Sequence, residues 1–394
     1  MLLLELTHTS HTAAATGIQQ VCRNLFTELG EITPVDALLH DPWQRSWRLT
    51  NASERERLAP CDNDGAARRK GEAWTTGEKL RGRLRMLSGC KGSLPADVYA
   101  VLFPEFIMGR CIWALPDLRK RLGREVPFLA VFHDAIALKM PELSARKTVE
   151  RIPEYLVALA GFDAVAAVSE ASRQELFGLW AGMGIRDVPP VEVIHLGINK
   201  PERVEGDHKA SERPRALCVA TLEPRKNHLA LLDAAELLWA EGLDFELELI
   251  GMAHRELGAA IVDKIHALEA KRRPIKWLGP VDGATLRARY AACDFTAYCS
   301  LMEGFGLPVM ESMAYGKPCL CTTCGALDEV SVGGGCLRLA GTDATCISEG
   351  LRQMITDAAL RERLRTEAEA RPLRTWADYA LDVQAWALAA KKMR

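Results

Sequence analysis

Ten strand-length apolar runs separated by helix-length segments constrain this chain more than any other feature of its sequence. The runs lie at 2–6, 98–103, 128–133, 164–168, 191–196, 216–220, 246–250, 275–278, 295–299 and 319–321. Segments such as 227–240 and 257–270 carry helical spacing between them. Unbroken apolar runs are strands buried on both faces, and helices between them make the pairing parallel. One doubly wound sheet seldom carries so many strands. An α/β chain of two parallel-sheet domains is therefore expected, which 394 residues accommodate. The stretch 199–214 is polar, contains Pro and Gly, and precedes a new apolar run. It sets the expected boundary between domains 1–205 and 206–374. Residues 375–394 form a last amphipathic helix, with Trp376, Tyr379, Val383 and Trp386 on one face.

Composition excludes several classes. A net charge of −2 with 26% charged residues provides no drive toward nucleic acid. The start Met1-Leu-Leu-Leu-Glu-Leu6 lacks a basic segment and reads as a first strand rather than a secretory leader. No apolar stretch approaches the ~20 residues that span a bilayer. The twelve cysteines are scattered through apolar runs, as free buried thiols in a reducing cytoplasm would be. Cys321-Thr-Thr-Cys324 lacks the second pair that a structural zinc site needs.

The most specific stretch is Glu303-Gly-Phe-Gly-Leu-Pro-Val-Met-Glu311-Ser-Met-Ala-Tyr-Gly-Lys-Pro318. It follows an apolar run and opens a helical pattern near Pro308. Strand, Gly-rich turn and helix together present backbone N–H groups and a positive dipole end to a phosphate. Gly304 and Gly306 allow a tight turn and close approach to a ligand. Glu303 starts the turn and Glu311 is expected in the first turn of the helix, so both carboxylates can face one cleft. This is an anion-and-sugar site.

The run resembles the signature of retaining GT-B-type glycosyltransferases of family 4, and further segments match that family in chain order. The resemblance implies two Rossmann-like domains facing a cleft, with the last helix crossing back onto the first domain. It implies a nucleotide-sugar donor, a glycan or lipid-linked acceptor, and no cofactor or metal. Pro224-Arg225-Lys226-Asn227 resembles the donor-phosphate segment, which assigns the diphosphate to Lys226 with help from Arg225. The family's second arginine, five positions before the lysine, is replaced by Thr221. Phe132-His133-Asp134 resembles the segment whose histidine reaches the donor sugar. Thr16-Gly17-Ile18 resembles the loop after the first strand, and Val168-Ser169-Glu170-Ala-Ser172 one that opens a helix, where Ser169 is also a natural N-cap. Val193–Asn199 resembles the strand and turn before the linker, and Gly279-Pro-Val281-Asp-Gly283 the loop beside the base. By resemblance Glu303 contacts sugar hydroxyls, the amides of Gly304, Phe305, Gly306 and Leu307 face sugar and phosphate, and Glu311 holds the ribose. The catalytic set is thus Glu303, Lys226 and His133. The form Leu-Glu-Pro-Arg-Lys-Asn resembles mannosyltransferases of surface polysaccharide synthesis, which points to GDP-mannose. A non-catalytic nucleotide-sugar or glycan-binding protein on the same fold is the alternative. An oxidoreductase is disfavoured because no Gly-x-Gly-x-x-Gly follows an early strand.

Residues 41–94 carry least information. Between 66 and 91 lie Arg68, Arg69, Lys70, Lys79, Arg81, Arg83, Arg85 and Lys91, interleaved with Trp74, Leu80, Leu84, Met86 and Leu87. A solvated loop is the plainer reading. Peripheral contact with an anionic membrane or lipid-linked acceptor is the other. Gly71–Gly77 has an extra spacer and no Gly-Lys-Ser/Thr, so it is no P-loop.

Overall fold

The apolar runs become the strands of two sheets in the computed structural model, which describes residues 1–12, 17–60, 74–88, 92–201 and 213–392. Strands β1 (Leu2–Glu5), β2 (Val35–Asp41), β3 (Ser46–Leu49), β4 (Ala100–Phe103), β5 (Phe128–Phe132), β6 (Ala164–Ala167) and β7 (Val191–Val193) form the first. Its order is β3-β2-β1-β4-β5-β6-β7. Strands β8 (Arg215–Val219), β9 (Glu246–Ile250), β10 (Ile275–Trp277), β11 (Phe295–Tyr298), β12 (Cys319–Thr322) and β13 (Cys336–Leu339) form the second, ordered β10-β9-β8-β11-β12-β13. Residues such as Leu2, Leu4, Leu102, Leu129, Leu249 and Leu320 have no exposed surface, as strands covered on both faces require.

These strand orders place the ligand cleft. Each sheet reverses direction once, between β1 and β4 and between β8 and β11. Ligands bind outside the carboxyl ends of strands at such switch points. The segments after β8 and β11, which hold Lys226 and Glu303, are therefore brought side by side from far apart in sequence.

The crossings between the sheets are also paired. Ile198 N donates to Arg374 O at 2.9 Å, forming a parallel bridge between Ile198 and Thr375. A Cβ on Gly197 would lie 2.3 Å from Thr375 O, so glycine is required where the two crossings touch. The helix Trp376–Lys392 then buries Trp376, Tyr379, Val383 and Trp386 in one core with Val21, Leu25 and Leu29 of the helix Gly17–Ile32. That core continues into Phe305, Val309 and Met313 of the second domain.

Several expectations need correction. Pairing is parallel except between β2 and β3, which run antiparallel with Leu38 opposite Leu49. The expected loop at 66–91 is a helix over Thr76–Ser88. Its inner side is held by polar contacts: Arg85 to Asp41 at 2.7 Å and Glu78 to Arg57 at 2.7 Å. Pairing of this kind offsets the cost of burying the Asp41 and Glu78 carboxylates. Glu311 lies beyond the first turn of the helix Leu307–Ala314, which carries no acidic residue there. Thr16, residues 61–73 and 89–91, and linker residues 202–212 lie outside the described residues.

Candidate active site

Lys226 reaches the cleft through an unusual backbone turn. Pro224–Lys226 is a single 3₁₀ turn after β8, and Asn227 follows at φ 59° before the helix His228–Ala240. Asparagine is among the few residues that tolerate this left-handed region. Its side chain is anchored on Thr342 O at 2.7 Å. The reversal turns Lys226 back toward the sheet, where its Nζ lies 2.6 Å from Glu303 Oε1 and donates to the Tyr298 hydroxyl at 2.7 Å. Arg225 Nη1 lies 2.9 Å from Glu303 Oε2, while Nη2 donates to Glu223 at 2.9 Å. Burial opposes ionisation of Glu303, but Lys226 and Arg225 overcome it and hold its carboxyl at about 2. Burial likewise pulls the Lys226 ammonium below its usual value, opposed by Glu303. The result is a buried carboxylate with two cations and a phenol converging on it.

The Gly-rich turn is shaped by its neighbours as well as by any ligand. Gly306 adopts φ 107° at the N-cap of the helix Leu307–Ala314, a conformation that suits glycine. A Cβ on Gly304 would come 2.3 Å from His133 O in the opposite domain. Close approach of the domains is therefore a second reason for glycine there. Gly17 differs: among the described residues a Cβ would meet only Leu307 Cδ1, at 3.8 Å, and Gly17 lines the cleft.

His133 follows β5, and its Nε2 lies 2.8 Å from Pro104 O. A carbonyl only accepts, so Nε2 carries the proton and Nδ1 is left as an acceptor. Burial pushes the imidazole toward the neutral form, opposed by that hydrogen bond. Glu311 accepts from the Tyr290 hydroxyl at 3.2 Å and from Gln20 of the first domain. Burial raises its carboxyl above the usual range, and those two hydrogen bonds oppose the rise. Tyr290 is itself stacked on Tyr315, with ring centroids 4.4 Å apart.

These groups surround one cavity of about 380 Å³ lined from both domains. Every sequence-predicted site residue lines it: Gly17, His133, Arg225, Lys226, Val281, Glu303, Gly304, Phe305, Gly306, Leu307 and Glu311. Thr221 lines it too. Sequence reasoning missed Gln20, Asp134, Tyr290 and Tyr298, of which Asp134 alone stood inside a quoted motif. Gly251, Met252, Val281 and Leu286 add mostly apolar surface to its lining. The cavity thus combines a charged cluster, apolar side chains and a Gly-rich turn at a helix N-terminus, which suits a nucleoside diphosphate bearing a sugar. Among the described residues one His/carboxylate cluster has metal-like spacing, His11, Glu54 and Glu78, and none of its members lines the cavity. Its carboxylates are held by Arg48 and Arg57 instead.

Two facing Rossmann-like domains with this site define a GT-B protein. Residues 199–371, which make up most of the second domain, match the family described as Glycosyl transferases group 1. It is 29% identical over 284 residues to the O-antigen chain mannosyltransferase B of Escherichia coli, covering 68% of this chain and 72% of the other. It is 27% identical over 331 residues to a serotype-specific mannosyltransferase WbdA of Escherichia coli, covering 79% of this chain but 37% of that longer protein. Among solved structures, sucrose-phosphate synthase from Thermosynechococcus elongatus superposes with a TM-score of 0.67 at 17% identity, over 100% of this chain and 99% of the other. Anabaena Alr3699/HepE in complex with UDP-glucose gives 0.68 at 14% identity, over 98% and 99%.

Proposed function

We propose that the chain is a retaining, metal-independent hexosyltransferase that moves mannose from GDP-mannose to a glycan or lipid-linked acceptor in surface polysaccharide synthesis. The convergence of Lys226 and Arg225 on Glu303 at the mouth of the Gly-rich turn carries this reading. The mannosyltransferase relatives favour mannose. All four groups whose loss would favour a non-catalytic binding protein are in the cavity: His133, Lys226, Glu303 and Glu311.

The mechanism follows from these positions. An entering diphosphate offers Lys226 a stronger partner, and the ammonium shifts from Glu303 to the phosphate oxygens. The amides of Gly304, Phe305, Gly306 and Leu307 add donors at the positive end of the helix Leu307–Ala314. Glu303, freed of one cation and still held by Arg225, accepts from sugar hydroxyls, and neutral His133 accepts another through Nδ1. Arg225 thereby orients Glu303 rather than replacing the arginine missing at Thr221. Ribose hydroxyls take over from Gln20 and Tyr290 at Glu311. The anomeric C–O bond breaks with its electron pair passing to the diphosphate oxygen. Lys226 and the amides stabilise that oxygen more strongly as its charge grows. The acceptor hydroxyl attacks from the face just vacated and passes its proton to the leaving phosphate, which preserves configuration.

The helix Thr76–Ser88 supports a lipid-linked acceptor. It lies beside Asp41 at the carboxyl end of β2, on the cleft side of the first sheet. Its charged contacts face inward, while Leu80, Leu84 and Leu87 are 60%, 57% and 79% exposed. These leucines share one stripe with exposed Lys79 and Arg83 beside it. Apolar side chains flanked by cations suit an anionic membrane surface.

Nucleotide choice is tested by thermal shift with GDP, UDP and ADP, followed by turnover of the matching mannose donor. GDP is expected to stabilise most. Greater stabilisation by UDP or ADP overturns the GDP-mannose reading, and no stabilisation by any of them overturns the donor site itself.

A further inference from the structure

Across the cleft from Lys226, the two domains are joined by contacts that involve none of the donor-binding side chains. The helix Glu170–Gly182 of the first domain begins at the cleft, capped by Ser169, whose Oγ accepts from Ser172 N at 3.0 Å. The first two amides of the helix, of Glu170 and Ala171, are not satisfied within it. They donate at 2.9 and 2.6 Å to the two carboxylate oxygens of Glu329, in the second domain's helix Ala326–Ser331. A carboxylate bridging two amides at the positive end of a helix is a charge-assisted contact. His195 Nε2 stands 3.7 Å from the same carboxylate.

The two serines reach the donor loop directly. Ser169 Oγ donates to Gly304 O at 2.7 Å. Ser172 Oγ lies 3.0 Å from Gly304 O and 2.9 Å from His133 O, so its proton is shared between loops of opposite domains. Both serines are buried. Glu329 is tied to the same loop, because Glu303 forms a backbone bridge with Gly325 and its carbonyl O accepts from Ala326 N at 3.2 Å. Separation of the domains breaks the four bonds that cross between them, from Glu170 N and Ala171 N to Glu329 and from Ser169 Oγ and Ser172 Oγ to Gly304 O, and so removes two of the supports of the peptide next to Glu303.

We infer that Glu329, Ser169 and Ser172 are positioning residues: they clasp the domains shut and, by gripping Gly304, hold Glu303 in its reacting orientation only in the closed form. Ser169 therefore serves twice, as helix cap and as clasp. Nucleotide contacts from the second domain alone remain in the open form, so the clasp acts on turnover rather than on nucleotide affinity. The turnover part rests on the glycosyl-transfer reading; the closure part does not.

Glu329→Gln removes the charge and keeps the shape, and Ser172→Ala removes the shared proton while leaving the Ser169 cap. Small-angle X-ray scattering of the ligand-free variants is expected to show a larger radius of gyration than wild type, with an unchanged far-ultraviolet circular dichroism spectrum. In the transfer assay each variant is expected to lose roughly tenfold in kcat, with nucleoside diphosphate Kd within about twofold of wild type. An unchanged scattering profile in both variants overturns the clasp whether or not the chain proves to be a transferase. An opened profile with unchanged kcat overturns the positioning role. A loss of kcat matched by an equal loss of nucleotide affinity assigns these residues to donor binding and overturns it too.

Discussion

At the residue scale, the site works by competition among buried charges. Glu303 is ionised because Lys226 and Arg225 face it, and the pair of cations is tolerated away from water because Glu303 and Glu223 face them. In the proposed reaction Lys226 holds the group that acquires charge in the transition state, whereas Arg225 is committed to Glu303, Glu223 and Met302 O. Lys226→Ala is therefore expected to leave the fold intact and cost roughly 2–4 kcal/mol in transition-state stabilisation, about 30- to 1,000-fold in rate. Steady-state kinetics at saturating donor checks this, and a rate close to wild type would sink the role given to Lys226.

At the element scale, the helix Thr76–Ser88 reverses the usual arrangement of a surface helix, in which apolar side chains face the core. Here Glu78 and Arg85 are turned toward Arg57 and Asp41, and leucines are turned to solvent. Such a stripe is stabilised when it enters a lipid interface, and neighbouring cations add attraction to anionic headgroups. Sedimentation with vesicles containing phosphatidylglycerol should carry the wild-type chain down, and Leu80→Ser combined with Leu84→Ser should abolish this without changing turnover of a soluble acceptor. Equal sedimentation of both proteins, or no sedimentation of wild type, would remove the membrane from the proposal.

At the scale of the whole molecule, two domains enclose one cavity, and the proposed catalysis depends on that enclosure. In the proposed reaction Lys226 and a helix N-terminus supply the positive charge that a divalent ion supplies elsewhere. In that reading closure excludes water that would hydrolyse the donor. Activity is accordingly expected to survive excess EDTA, and the product to keep the donor's anomeric configuration. Complete loss on chelation that is restored by a metal, or an inverted product seen by NMR, would overturn this mechanism while leaving the fold untouched.

The sequence by itself determined the features that short-range chemistry encodes. Apolar runs and helical spacing gave two parallel-sheet domains, because burial on both faces leaves no alternation to blur the pattern. Glycine and proline placed the donor turn before the helix Leu307–Ala314, since their backbone limits act on the residue itself. Strand β2 escaped because it carries Asp36, His40 and Asp41, and Arg48 and Arg85 pair with Asp41 from elsewhere in the chain. Strand β13 escaped because it is an edge strand with Arg338 exposed. Only the tertiary structure decided which charges meet. Lys226 and Glu303 are 77 positions apart, and Glu329 finds the Glu170 and Ala171 amides at separations of 159 and 158. Contacts of that range follow from strand order and domain closure, which no local pattern records.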